Sequence, residues 1–175
     1  EAIYGMTFVG PPFIFSFRLL ATNAGAAGLN TMINVDGNVF WMGKTNFFTY
    51  DGVVKEIPCS VQYYVFDRIQ RNFIDKTIVA HNKKFKEVTW FYVSDDNSAG
   101  TLNPEPDSYV TFNYLENAWS IGTMDRTAWL DSFGFRKVPF AFDPSGYLYN
   151  HETGTSANGS AMSAYVESSP REITQ

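Results

Sequence analysis

Apolar and aromatic residues in this chain come in short runs bounded by Gly, Asn, Asp and Pro, a pattern that predicts strands and tight turns and leaves helix in the minority. One phrase recurs: an aromatic strand, an Asp-Gly or Glu-Asn turn, and a second strand leading out. Its first copy is Asn38-Val39-Phe40-Trp41-Met42-Gly43 with Phe47-Phe48-Thr49-Tyr50-Asp51-Gly52. The second is Val88-Thr89-Trp90-Phe91-Tyr92 followed by Tyr109 to Trp119, and a weaker third runs from Ser145 to Glu152. A period of roughly 45 to 55 residues falls in the range of propeller blades, so the repetition points to architecture before chemistry.

The strongest hairpin is Thr31 to Val35, Asp36-Gly37, then Val39 to Met42, because Asp-Gly supplies the positive backbone angles of a two-residue turn. A second Asp-Gly, Asp51-Gly52, joins Phe47–Tyr50 to Val53–Ile57 and completes a meander. Further strands are read at Thr77–His81, Glu87–Val93, Tyr109–Tyr114, Ala118–Thr123 and Val138–Phe142. Ile3 to Leu20 reads as two strands broken at Pro11-Pro12, which cannot sit in a central strand. The stretch Cys59 to Lys76 differs: Val61, Val65, Ile69 and Phe73 recur every four residues, predicting a connector helix with an Asp67–Arg71 surface pair. Asp95 to Asp107 reads as a long loop that projects toward a neighbour. The fold expected is mainly β, with about three to four antiparallel meander blades of a partial β-propeller. The blades fall approximately at 1–58, 77–124 and 138–175, with a helical connector at 60–75.

With 45% hydrophobic and 17% aromatic residues in 175, the chain has ample material for one packed core. A net charge of -5 and a pI near 4.9 exclude a surface that grips nucleic acid throughout, which requires clustered Lys and Arg. A single cysteine, Cys59, rules out an internal disulfide and a Cys-rich zinc site, and its apolar setting reads as a small buried hydrophobe. No apolar run reaches the roughly 18 residues of a membrane-spanning helix. Phe13 to Ala27 has the apolarity of a signal core, but Arg18, the two prolines and the lack of a basic start argue against export. The start at Glu1 and the uncapped end at Gln175 suggest a piece of a longer polypeptide.

Candidate chemistry is sparse. The loop Ala21 to Gly28 lacks the Gly-Lys-Ser/Thr ending of a phosphate-binding loop and reads as a connection between sheets. His81 and His151 stand apart without metal-ligand spacing, and Asp95-Asp96-Asn97 lacks the glycine and glutamate of a calcium loop. Glu87, Asp125 and Asp131 lie near aromatics, as in a glycosidase, but aromatic sheets carry such pairs without catalysis. Trp41, Trp90, Trp119 and Trp129 read as blade core and interface residues. Arg126, near Trp129, is expected to pair with Glu87 or Asp131 and clip two blades together. No catalytic, cofactor or metal residue is assigned.

Four stretches taken in order resemble the β-propeller of the tail nozzle of short-tailed bacteriophages, the tail tubular protein B or packaged-DNA stabilisation family. They are Phe40-Trp41-Met42-Gly43 through Ile57-Pro58-Cys59; Asn82 to Tyr92; Asn113-Tyr114 through Arg126-Thr127-Ala128-Trp129; and Gly146-Tyr147-Leu148-Tyr149 with His151-Glu152 and Gly154. The resemblance covers Asn34 to Ser169. It implies a virion structural protein without enzymatic activity, forming a hexameric ring between a tail adaptor and distal tail or fibre proteins. Genomic DNA is retained by such a ring and then ejected through it, touching the wall transiently. Lys83, Lys84 and Lys86, clustered in one turn, are candidates for that contact. The alternative is a carbohydrate-binding propeller that stacks sugars on exposed Trp41, Trp90 or Trp119, or, further off, a glycoside hydrolase.

Overall fold

The computed structural model describes residues 1–98, 104–157 and 160–162. It is mainly β, with antiparallel sheets throughout. Strands β1 (Ala2–Phe8) and β2 (Phe15–Thr22) form a hairpin on their own, closed by the Pro11-Pro12 segment. Strands β3 (Met32–Val35), β4 (Asn38–Met42), β5 (Phe47–Tyr50) and β6 (Val54–Ile57) form the first four-stranded sheet, ordered as they occur in the chain. The second sheet repeats that plan with β7 (Ile78–Asn82), β8 (Glu87–Tyr92), β9 (Ser108–Asn113) and β10 (Ala118–Thr123). A third, three-stranded sheet holds β11 (Ala128–Leu130), β12 (Phe140–Phe142) and β13 (Leu148–Asn150). A small hairpin of β14 (Ser156–Ala157) and β15 (Ser160–Ala161) follows.

The turns do what their residues predict. Asp36 and Gly37 both take positive φ, 50° and 93°, so the β3–β4 turn twists with its strands. The Asn34 carboxamide accepts the Gly37 N–H at 3.0 Å and fixes it further. Gly52, at φ 113°, closes β5 onto β6.

Side-chain alternation builds layers. On the first sheet Phe40, Met42 and Phe47 point into a common core, and on the second Val88, Trp90, Tyr92, Val110 and Phe112 meet them. The opposite face of β8 presents Phe91, whose ring lies 6.0 Å from that of Trp129 on the third sheet. The second sheet is therefore covered on both faces, and the three sheets stack in chain order. Their first strands also gather, with β7 packed beside both β3 and β11. Val79 of β7 donates its N–H to the Asn30 carbonyl, just ahead of β3, at 2.9 Å.

Three expectations change here. The connector is two elements: α1 (Gln62–Arg68) ends where Ile69 turns extended and bridges to Ser94, and a 3-10 helix follows at Arg71–Lys76. Arg71 thus lies beyond α1, so the Asp67–Arg71 pair across a helical turn does not form. The interval 1–58 contains two sheets, and the third sheet begins at Ala128, ahead of the expected 138. Asp95–Ser98 forms a short helix, α2, and the far end of that long stretch is anchored: Lys76 donates to the Pro104 carbonyl, and Asp107 accepts from the Ser94 N–H and hydroxyl. Residues 99–103 of the expected projecting loop lie outside the described residues, as do 158, 159 and 163–175 of the last expected blade.

Candidate functional site

Each of the four tryptophans donates its indole N–H to a backbone carbonyl from earlier in the chain. Trp41 on β4 reaches the Ala24 carbonyl at 2.7 Å, and Trp90 on β8 reaches that of Thr31 at 2.9 Å. Trp119 on β10 reaches Pro58 and Trp129 on β11 reaches His81, both at 2.9 Å. A carbonyl in or beside one layer is thereby satisfied by the layer that follows, which couples aromatic packing to hydrogen bonding. Trp90 and Trp119 also share one aromatic cluster with Phe47, and Trp119 lies 4.6 Å from Phe112 by ring centroids. Trp41 and Trp90 are 1% and 0% exposed, and Trp119 is half-buried in the cluster. The sugar-stacking platform of the alternative reading is therefore absent at Trp41 and Trp90, because Trp41 is buried against Phe48 and Trp90 is packed in the core.

Arg126 does not join two blades as expected but braces the third sheet from within. Its Nε donates to His151 Nε2 at 2.9 Å, its guanidinium lies 4.7 Å from the Tyr149 ring centre, and a terminal nitrogen returns to the Asp125 carbonyl. Neither Glu87 nor Asp131 pairs with it. Asp131 is engaged by the second sheet, where it lies 3.1 Å from His81 Nδ1 and accepts the Lys83 backbone N–H at 3.0 Å. With Nδ1 directed to the carboxylate, His81 Nε2 accepts from the Tyr114 hydroxyl at 3.2 Å.

Between the second and third sheets lies a cavity of about 240 Å³, bordered by Glu87, Asn82, His151, Glu152, Thr89 and Trp129. Burial and the neighbouring Glu152 raise the Glu87 carboxyl above its usual range. Burial, with Arg126 alongside, pushes His151 down to about 4, so its ring is neutral at pH 7 and carries its proton on Nδ1. Burial also lowers His81, with Asp131 opposing. Asn82 donates to Glu152 at 3.2 Å, while its own buried carbonyl oxygen has no partner. The cavity is smaller than the roughly 300–1,000 Å³ typical of small-molecule sites, and Trp129 borders it with its ring 4.5 Å from that of His151. This polar seam joins two sheets. Its cross-sheet pair, Asn82 and Glu152, escaped sequence reasoning; the available signal was their position at strand ends beside His81 and His151.

The three lysines sit on the β7–β8 turn, as their spacing suggests. Lys83 and Lys84 are exposed, Lys84 resting on the Phe85 ring at 4.9 Å, and Lys86 takes φ 61° while its carbonyl accepts the Tyr114 N–H. Cys59 is half-buried against the core, and burial pushes its thiol up to about 11, far from the reactive thiolate. Asp96 of the candidate calcium run pairs with Arg68 instead. Among the described residues no three His, Cys, Asp or Glu are placed to hold a metal, and no helix is long and apolar enough to cross a membrane. Compared with protein-family models and with curated proteins, the chain matches none.

Proposed function

We propose that the three sheets are successive blades of a β-propeller in the wall of a phage tail nozzle, a non-enzymatic virion ring through which genomic DNA is retained and then ejected. The observation that carries the propeller is the gathering of β3, β7 and β11. Each is the first strand of its sheet, and each sheet then runs away from that line in chain order, as blades run outward from a propeller axis. The tryptophan clips add to it, since radial repetition requires every layer to be pinned to the one before.

The nozzle assignment rests on the resemblance carried by the four motif stretches, and the acidity of the chain accords with it. A conduit for DNA must not hold phosphates, and dense Lys and Arg would do so. Subunits repeat one heterologous contact until a ring, on this reading a hexamer, closes between the adaptor and the distal tail proteins. Lys83, Lys84 and Lys86 offer DNA a brief contact on an exposed turn. The test is immunogold labelling of intact virions with antibodies raised against this chain. Gold confined to the tail below the capsid supports the reading; absence of the chain from purified virions overturns it.

A further inference from the structure

Among the described residues, the stack of layers ends in two exposed apolar faces. At one end is the β1–β2 hairpin. Its register pairs Tyr4 with Leu19, Met6 with Phe17 and Phe8 with Phe15, so all six side chains share one face. Each is 47–68% exposed. The other face carries Gly5, Thr7, Ser16 and Arg18, which makes the hairpin amphipathic. At the other end is the third sheet. Trp129, Ala141 and Tyr149 share its inner face, with Trp129 turned to the second sheet, which leaves Leu130, Phe142 and Leu148 outside at 41–49% exposure.

We propose that these two faces bind each other between copies of the chain, the β1–β2 hairpin of one subunit seating on the β11–β13 face of the next. This deepens the ring reading above and rests on it. Both faces are predominantly apolar, so each excludes water from the other when they meet. On the hairpin side the area agrees as well. Six large apolar side chains at roughly 100 Å² each give about 600 Å², already at the upper limit of a typical exposed apolar patch. The exposed hairpin tip, Val9, Phe13 and Ile14, brings the total toward the ~800 Å² per partner of a stable interface. No charge interrupts the hairpin between Glu1 and Arg18, so the face meets an apolar partner without an unpaired ion. A head-to-tail contact between different faces generates a ring when its rotation closes, whereas a face pairing with itself stops at a dimer.

The experiment is site-directed cross-linking on the full chain with Cys59→Ser as background. One preparation carries Phe17→Cys, a second carries Leu148→Cys, and the two are mixed under mild oxidation. A covalent dimer in the mixture, at least tenfold above either preparation alone, is expected. A Phe17→Cys homodimer, or a bridge within one chain when both substitutions are combined, overturns the proposal. Phe17→Glu and Leu148→Glu give a second readout by sedimentation: each must abolish higher oligomers while keeping the native circular dichroism spectrum, and unchanged sedimentation overturns it. The dimer in solution with no chain in virion tails sinks the nozzle and leaves the interface; tail rings that never cross-link at these positions do the reverse.

Discussion

Trp90 shows how one side chain joins two layers: its ring fills the shared core and its N–H satisfies the Thr31 carbonyl. Trp90→Ala is expected to cost about 3–5 kcal/mol in urea denaturation, whereas Trp90→Phe, losing mainly the hydrogen bond, costs about 1–2 kcal/mol. Arg126→Lys removes the planar Nε–H that meets His151 and the flat group above Tyr149, so we expect a loss of about 1–2 kcal/mol in thermal melting and weaker assembly. His151 gives the pH dependence a sign. Its folded value, about 4, lies below the ordinary 6.5, so between these values the unfolded chain binds the extra proton and stability falls as pH falls. The melting advantage of wild type over His151→Asn must therefore shrink from pH 7 to pH 4; an advantage that is constant or grows contradicts the assigned neutral ring. The expected clip between two blades does not form, since Arg126 holds Tyr149 and His151 within the third sheet. Its actual partners were not legible, because a sequence does not reveal which strand end of its own sheet a guanidinium meets.

The hairpins were the most legible elements, since Asp36-Gly37 and Asp51-Gly52 encode their turns in two residues. Gly37→Ala at φ 93° meets no neighbouring atom, so its cost is backbone strain alone, about 1 kcal/mol by chemical denaturation. The connector was misread for a physical reason. Val61, Val65, Ile69 and Phe73 keep helical spacing, and Val65 and Ile69 are buried as that spacing predicts. Yet the backbone leaves the helix at Ile69 to bridge Ser94, and Gln70 donates its N–H to the Val93 carbonyl. Tertiary pairing thus overrides a local stripe that would otherwise continue. The third sheet was split for a similar cause: Ala128–Leu130 and Phe140–Phe142 are only three residues each, and their pairing spans a stretch that carries no two-residue turn.

At the scale of the molecule, layers of sheet are pinned by tryptophan, sealed by a polar seam and left apolar at both ends. The repeat and the aromatic runs made the antiparallel sheets legible. The order in which sheets stack, and the seam around Glu87 and Glu152, depend on contacts 48 to 70 residues apart that leave no local trace. The same scale governs DNA contact. A chain of net charge -5 is expected to bind duplex DNA weakly in filter-binding assays at moderate salt, and replacing Lys83, Lys84 and Lys86 with Ala should flatten what salt dependence exists. An unaltered slope removes these lysines from the path of the genome. The central claim meets its most direct test in cryo-electron microscopy of the native tail. The account predicts a ring in which each subunit sets β3, β7 and β11 around a common propeller axis; sheets that fail to converge on an axis, or a chain found only as a free monomer, would contradict it.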